Sequence, residues 1–226
     1  MKAIILCAGK GTRMRPLTNT IPKPLLLIKG KELLLHILES LPDEITEVFL
    51  VTSYLQEQIE NFVLTKCNFQ FKIQCVEQIP DKKGTFAALL SVRNFLNDNE
   101  RFLILNGDDL ISKDDLEKVI TFKRCFTVQK AIMPRYYKVV QDPNGMLSSF
   151  EVQDEYEKEN GTLIATGTYV VDTGIFNYEP RLLTGNEIGI PQTIMDNKDT
   201  YPISVLEINS WIPVNSLDDF NFLNKI

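Results

Sequence analysis

Histidine and cysteine are scarce in this chain of 226 residues, which holds one histidine and four cysteines. A single imidazole, His36, argues against a histidine metal site or catalytic dyad. The cysteines lack C-x-x-C spacing, so we expect reduced thiols in a cytoplasmic protein. No apolar run reaches the roughly 18 residues of a membrane span. A net charge of −6 argues against general nucleic-acid binding. Neither a membrane nor a nucleic-acid partner is therefore expected.

Acidic residues are missing from the first 31 positions, although the chain contains 30 of them. The same stretch carries seven lysines and arginines, so its local charge is strongly positive. In it, the apolar segment Lys2–Cys7 runs into a loop that contains Gly9 and Gly11. Backbone amides of such a loop, with a few cations, are the usual means of binding a polyphosphate.

Strand-like and helix-like segments alternate through the first half of the chain, and the second half is richer in strands. The predicted strands are Lys2–Cys7, Glu47–Thr52, Phe69–Val76, Phe102–Leu105, Cys125–Met133, Met146–Val152, Leu163–Val171 and Tyr201–Ile208. The predicted helices are Glu32–Leu41, Gln56–Leu64, Thr85–Leu96, a segment from Ser112 to Phe122, a short one after Pro191, and Leu217–Ile226. This order predicts one α/β domain with a mostly parallel sheet covered by helices on both faces. The acidic segment Asp154–Gly161 is predicted to be a solvated loop.

Two common phosphate-binding motifs do not fit the glycine loop. The third glycine of a dinucleotide fingerprint would fall at Met14, and no G-x-x-x-x-G-K-[ST] string is present. Taken alone, Gly9-Lys10-Gly11 is equally well explained as a surface turn with solvated lysines.

The longer string is more specific, since Gly11-Thr12-Arg13 is followed by Pro16-Leu17-Thr18 and then by Pro22-Lys23-Pro24. It resembles the N-terminal signature of the sugar-phosphate nucleotidylyltransferases, an apolar strand, A-G-G-x-G-T-R-L-x-P-L-T, and then P-K-P-L-L. The resemblance implies a Rossmann-like, three-layer α/β/α nucleotidyltransferase fold of the GT-A-like type over residues 1–226. It places nucleotide binding in about 1–110 and the sugar phosphate in about 111–226.

The implied reaction is Mg²⁺-dependent transfer of a nucleotidyl group from an NTP to a sugar 1-phosphate, with release of pyrophosphate. Arg13 would clamp the leaving pyrophosphate, and Lys23 would bridge the reacting phosphates. The expected nucleotide-binding residues are Leu6, Ala8, Gly9, Lys10, Gly11, Thr12, Arg13, Gln78, Gly84 and Thr85. The last three resemble the family's E-x-x-x-G-T segment at the nucleobase, although a charged loop before a helix explains them equally well. The base itself is not predicted.

Asp108 resembles the family's Gly-Asp metal ligand, and Asn215 falls where many members carry Asp and some carry Asn. The pair would hold one Mg²⁺, a cation that prefers oxygen ligands. The alternatives are an ordinary turn at Asp108 and a helix-start residue at Asn215. Asp109 is expected to be an exposed neighbour.

The acceptor half is less regular. Glu151, Thr166, Gly167 and Lys138 are the expected sugar-phosphate contacts. Val152 replaces a lysine that the family uses for phosphate, and Lys138 replaces a glycine that meets the sugar. These departures leave two other functions open, a cytidylyltransferase for a non-sugar phosphate such as phosphocholine, and a non-catalytic nucleotide-sugar-binding homologue. The sequence is also compatible with a homo-oligomer.

Overall fold

A computed structural model of the protein describes residues 1–134 and 136–225. The strands are β1 Lys2–Leu6, β2 Leu27–Ile28, β3 Lys31–Glu32, β4 Glu47–Thr52, β5 Lys72–Glu77, β6 Arg101–Asn106, β7 Asp109–Leu110, β8 Cys125–Ala131, β9 Lys138–Gln141, β10 Leu147–Glu151, β11 Thr162–Asp172, β12 Leu182–Leu183, β13 Glu187–Ile188, β14 Ser204–Glu207 and β15 Ile212–Pro213. The helices are α1 Leu33–Glu39, α2 Gln56–Lys66, α3 Thr85–Ser91, α4 Lys113–Ile120, α5 Glu155–Asn160, α6 Ile190–Asp196 and α7 Leu217–Lys225. Turns of 3₁₀ helix cover Thr12–Met14, Leu17–Asn19, Lys23–Leu25, Arg93–Phe95 and Thr173–Asn177.

The central sheet has seven strands in the order β14-β8-β11-β6-β1-β4-β5. Strands β6, β1, β4 and β5 pair in parallel, and β14 pairs in parallel with β8. Strand β11 is antiparallel to both of its neighbours, β6 and β8. The predicted mostly parallel sheet is thus confirmed. None of the described helices is long and apolar enough to cross a membrane.

Both faces of the sheet are covered by apolar side chains, because successive residues of a strand point to opposite sides. Ala3 and Ile5 of β1 belong to one buried cluster, together with side chains of α1, α2 and α4. Ile4 belongs to the second cluster, which includes side chains of α3 and α6. The result is the predicted arrangement of helices on both faces of one sheet.

Local contacts shift several of the predicted boundaries. The predicted loop Asp154–Gly161 is wrong, because Asp154 and Glu157 form a reciprocal capping box that starts α5. Strand β5 begins at Lys72, where its pairing with β4 begins, instead of Phe69. Helix α3 ends at Ser91. The last residue of the predicted C-terminal helix, Ile226, lies outside the described residues.

A two-stranded ribbon joins the end of β6 to the C-terminal part of the chain. Strand β15 pairs with β7, with Ile212 opposite Leu110. Beside this pair, the Val214 amide donates to the Asp108 carbonyl at 3.0 Å. The ribbon therefore brings Asp108 and Asn215 to the same edge of the sheet.

Candidate active site

A large cleft opens where the parallel strands end. Its volume is about 1060 Å³, and its wall includes Ala8 after β1, Ser53 after β4 and Gln78 after β5. Asp108, shortly after β6, completes this edge. The carboxyl ends of parallel strands are the usual ligand-binding edge of an open α/β sheet. We call this space the main cleft.

A smaller cavity of about 390 Å³ adjoins the main cleft. Its lining includes the glycine-loop residues Gly11 and Thr12 as well as Lys23. Six residues line both spaces where they meet, namely Leu6, Gly9, Arg13, Asp108, Glu187 and Asn215. The junction therefore combines the glycine loop with both predicted metal ligands. We call this second space the loop cavity.

Four polar side chains meet at the junction, although they are far apart in sequence. Lys23 Nζ lies 2.5 Å from Asp108 Oδ2 and 3.4 Å from Asn215 Oδ1. Arg13 Nη2 lies 3.2 Å from the same Asn215 oxygen. Lys23 is only 7% exposed, whereas the Arg13 side chain is exposed. The structure thus brings together the two predicted catalytic residues and the two predicted metal ligands.

Gly11 sets the position of Lys23 through a close backbone approach. Its φ of +59° lies in the left-handed region that favours glycine. A Cβ at Gly11 would lie 3.0 Å from Thr18 Cγ2 and 3.1 Å from Lys23 Cβ. The Thr18 hydroxyl donates to the Gly11 carbonyl at 2.8 Å. The loop therefore packs directly on the aliphatic part of Lys23.

Asp109 is buried, being only 4% exposed, and the expectation of an exposed neighbour is wrong. Its pairing in the β7–β15 ribbon turns the residue inward, where Asn106 Nδ2 donates to its carboxylate at 2.9 Å. Burial and the adjacent charge of Asp108 raise the pKa of Asp109 well above the usual value for an aspartate. Asp109 also lines the main cleft.

The junction offers oxygen ligands of the kind that Mg²⁺ prefers. The carboxylate of Asp108 and the amide oxygen of Asn215 both contact Lys23 Nζ, so they face a common point. Among the described residues, no group of three or more histidine, cysteine and acidic side chains is arranged to hold a metal. A Mg²⁺ ion bound by one or two protein oxygens takes its remaining ligands from substrate phosphates and water, so the donor set fits this ion.

The predicted base-binding segment forms one wall of the main cleft. Gln78 Nε2 donates to the Lys82 carbonyl at 2.9 Å, which folds the loop before α3. The Ile188 amide donates to the Lys83 carbonyl at 2.8 Å, and the Ile190 amide donates to Thr85 Oγ1 at 3.0 Å. These bonds tie the start of α3 to the segment between β13 and α6. Gln78, Gly84 and Thr85 all line the cleft, together with the loop residues Leu6, Ala8, Gly9 and Lys10.

The predicted acceptor residues separate into two groups. Thr166 and Gly167 line the main cleft at a bulge in β11. Within the part of the chain that the structure describes, Lys138 and Glu151 line neither the main cleft nor the loop cavity. Lys138 Nζ lies 2.6 Å from Glu157 and 3.7 Å from Glu151, in the β9–β10 pair beside α5. Lys138 therefore already pairs with two carboxylates.

Sequence reasoning missed several cleft residues. Five aromatic residues line it, Tyr136, Tyr137, Phe150, Tyr169 and Trp211. Glu187 borders both the cleft and the loop cavity. Tyr169 lies in an unbroken run of buried residues at the end of β11, so its sequence context is that of an ordinary buried strand.

Asp115 anchors the segment that leads to Asn215. Its carboxylate accepts hydrogen bonds from the Ser210 hydroxyl at 2.6 Å and from the amides of Asn209 and Ser210 at 3.2 and 3.1 Å. Burial alone would raise its pKa, but the bonds from Ser210, Lys118 and Asn209 outweigh burial and hold the pKa below the usual value. Ionised Asp115 therefore stabilises the folded state.

We expect Asp115→Ala to lower the free energy of unfolding by about 2–3 kcal/mol at neutral pH, because the Ser210 hydroxyl and two backbone amides lose a charged acceptor. A depressed folded pKa gives stability that is present above the unfolded pKa of about 3.9 and is lost as pH falls through the folded pKa. The difference from the wild type should hence shrink in acid. Urea unfolding at neutral pH and in acid measures both effects. The exposed neighbour Asp114→Ala is the control, and an equal loss in that variant would contradict the assignment.

Comparison with known proteins agrees with this geometry. The family model described as "Nucleotidyl transferase" matches residues 2–188, which include the glycine loop, Lys23 and Asp108. The chain belongs to the nucleotidyl transferase family. Asn215 lies beyond the region that the model matches.

Two curated members of the nucleotidyl transferase family illustrate the similarity. The bifunctional protein GlmU of Methanocaldococcus jannaschii is 37% identical over 178 residues, which cover 78% of this chain and 41% of that protein. The UTP–glucose-1-phosphate uridylyltransferase of Synechocystis sp. is 27% identical over 242 residues, covering 97% of this chain and 61% of that protein. The chain thus spans about half the length of the curated GlmU relatives, from 41% to 55% among those compared.

Solved structures of this family share the fold. A UDP-glucose pyrophosphorylase from Acinetobacter baumanii superposes with a TM-score of 0.81 at 17% identity, covering 99% of this chain and 91% of that one. A UDP-glucose pyrophosphorylase complexed with UDP-glucose gives a TM-score of 0.80 at 19% identity, covering 99% and 97%. The predicted α/β nucleotidyltransferase fold is thereby confirmed.

Proposed function

We propose that the protein transfers a nucleotidyl group from an NTP to a sugar 1-phosphate and releases pyrophosphate. The observation that carries the proposal is the meeting of Arg13, Lys23, Asp108 and Asn215 at the junction of the main cleft and the loop cavity. The names of the relatives support a sugar 1-phosphate acceptor, since one is a glucose-1-phosphate uridylyltransferase. The base and the sugar are left open.

The chemistry requires charge stabilisation more than proton transfer. An oxygen of the acceptor phosphate attacks the α-phosphorus of the NTP, and the bond from that phosphorus to the α–β bridging oxygen breaks. Pyrophosphate leaves with the bonding electron pair. The attacking oxygen is already an anion, so no general base is needed, and positioning and electrostatics carry the catalysis.

Each residue at the junction has a role that follows from its place. Lys23, buried between the cleft and the cavity, lies where it can hold the phosphates that react. Exposed Arg13 lines both spaces and can follow the departing pyrophosphate into the loop cavity, where the amides from Gly9 to Thr12 provide further donors. Mg²⁺, held by Asp108 and Asn215, would neutralise charge on the triphosphate.

Phosphocholine is the second candidate acceptor, because the aromatic lining of the cleft suits a quaternary ammonium group. Tyr136, Tyr137 and Trp211 present aromatic rings there. Aromatic rings attract quaternary ammonium groups through their quadrupole. The acidic side chain of Glu187 lines the same cleft and would add to this attraction.

Pyrophosphate release tests the proposal and ranks the acceptors. Four NTPs are each assayed against a panel of sugar 1-phosphates and against phosphocholine, with Mg²⁺ and with a chelator. We expect release with at least one pair, dependent on the divalent cation and on both substrates. Binding of a nucleotide sugar without turnover by any pair would instead support the non-catalytic alternative and reject this proposal.

We also place the protein in the cytoplasm. All four cysteines are free thiols, as a reducing compartment would keep them. Burial raises the pKa of Cys125 to about 12, so this thiol is unreactive at neutral pH.

A further inference from the structure

We propose that Lys23 is the resident cation of the candidate metal site, so that a divalent cation binds well only together with the phosphates of the nucleotide. This inference rests on the metal site of the proposed function. It states that tight binding of the divalent cation requires the nucleotide, because Lys23 must first exchange one anionic partner for another. In the free protein its partner is Asp108, and in the complex its partners are phosphate oxygens.

The first observation is that both candidate ligands already bind cationic side chains. Lys23 Nζ contacts Asp108 Oδ2 at 2.5 Å and Asn215 Oδ1 at 3.4 Å. Arg13 Nη2 contacts the same amide oxygen at 3.2 Å. The oxygens that would bind a metal therefore face a positive charge. A divalent cation that enters alone must lie beside that charge and is repelled.

The second observation is that the Lys23 side chain has little room to withdraw. It is 7% exposed, and its Cβ lies against the Gly11 backbone of the loop. Its own backbone is fixed in a 3₁₀ turn between Pro22 and Pro24, where the Leu26 amide donates to the Lys23 carbonyl at 3.1 Å. The ammonium group can shift within the junction, but the aliphatic chain is held in place. Its charge consequently stays near any ion bound at Asp108.

The third observation concerns the charge of the ligand pair. Asp108 contributes a carboxylate, whereas Asn215 contributes a neutral amide oxygen. Two cationic side chains thus contact a pair that carries one negative charge. A triphosphate in the loop cavity would reverse this balance, because its oxygens can bind Lys23 and Arg13 and coordinate the metal. By linkage, the metal must then strengthen nucleotide binding by the same factor.

Binding of Mn²⁺, followed by the electron paramagnetic resonance signal of the free ion, tests the proposal without any turnover. The nucleotide is an NTP analogue with a non-cleavable α–β bond. We expect the wild type to bind Mn²⁺ at least about tenfold more tightly with the analogue than without it. Without nucleotide, Lys23→Met should bind Mn²⁺ at least about tenfold more tightly than the wild type, because the repelling charge is gone.

Lys10→Met is the matched control, since Lys10 lines the main cleft but is exposed and lies outside the contacts of Asp108. Its affinity for Mn²⁺ alone should equal that of the wild type. Asn215→Asp changes the charge balance while the Lys23 side chain is kept, and it should also tighten binding of Mn²⁺ alone. This variant remains informative if Lys23→Met does not fold.

Three results would overturn the inference. They are tight Mn²⁺ binding by the wild type without nucleotide, unchanged affinity in Lys23→Met or Asn215→Asp, and an equal gain in Lys10→Met. Asp108→Asn separates this failure from failure of the metal site itself. If Mn²⁺ binding with nucleotide is the same in Asp108→Asn as in the wild type, Asp108 is not a metal ligand. The metal site of the proposed function and the inference about Lys23 are then both wrong. An inactive protein that still shows the Lys23→Met gain would reject the transferase activity but keep the inference.

Discussion

Replacing Lys23 with methionine is expected to slow pyrophosphate release by about 10²–10³-fold, the usual effect of losing one preorganised donor to a transition state. Lys23 is buried at the junction and is held there by the glycine loop, so no solvated side chain can take its place. Methionine keeps the length and the apolar packing of the aliphatic chain. The measurement is kcat and KM for both substrates, with a thermal melt to verify folding.

A surface lysine with a similar ion pair provides the control. Lys113 contacts Asp43 at 2.5 Å, and neither residue lines the main cleft or the loop cavity. The Lys113 side chain is 37% exposed, against 8% for Lys23. Lys113→Met should keep the wild-type rate, because exposed ion pairs contribute little and this one touches no substrate. Near-wild-type turnover in Lys23→Met would remove that residue from the mechanism.

Replacing Gly84 with alanine is expected to lower the free energy of unfolding by about 2–5 kcal/mol, from backbone strain and overpacking together. Gly84 has a φ of +95°, and a Cβ there would lie 2.4 Å from the Ile188 carbonyl oxygen and 2.8 Å from its amide nitrogen. These are backbone atoms of Ile188, which cannot move aside as the end of a flexible side chain can. The contact between the start of α3 and β13 must therefore open, and nucleotide binding should weaken as well. Urea unfolding and a nucleotide titration measure the two effects.

A substitution at Gly145 distinguishes the cost of backbone strain from the cost of the steric contact with Ile188. Its φ of +77° is also in the left-handed region, but a Cβ built there meets nothing within 4 Å. Gly145→Ala should show only the cost of the backbone conformation, about 1–3 kcal/mol, and no change in nucleotide binding. Equal losses in the two variants would show that the Ile188 contact is not what makes Gly84 necessary.

The sequence was most informative where local patterns decide structure. The apolar runs at β1, β4 and β6 fixed the parallel core, since a buried strand needs little beyond its own composition. The string from Gly9 to Lys23 also identified its residues correctly as neighbours, because tight turns and prolines constrain short stretches of chain.

Contacts between distant segments could not be read in the same way. Asp109 is buried by its pairing with β15, about a hundred residues away, so nothing beside it in the chain marks it as buried. Lys138 is bound by Glu157, which is positioned by the capping box of α5. The acceptor wall depends on such pairings, and for this reason the acceptor was the least predictable part of the site.

The β7–β15 ribbon also determines when the site can be completed during synthesis. Lys23 and Asn215 are 192 positions apart, so Asn215 leaves the ribosome long after the glycine loop. At about 5–20 residues per second, Asn215 follows Lys23 by roughly 10–40 seconds. Through most of that interval the glycine loop and Asp108 already exist without their last partner. A nascent chain from which Asn215 has not yet emerged therefore cannot assemble the complete junction.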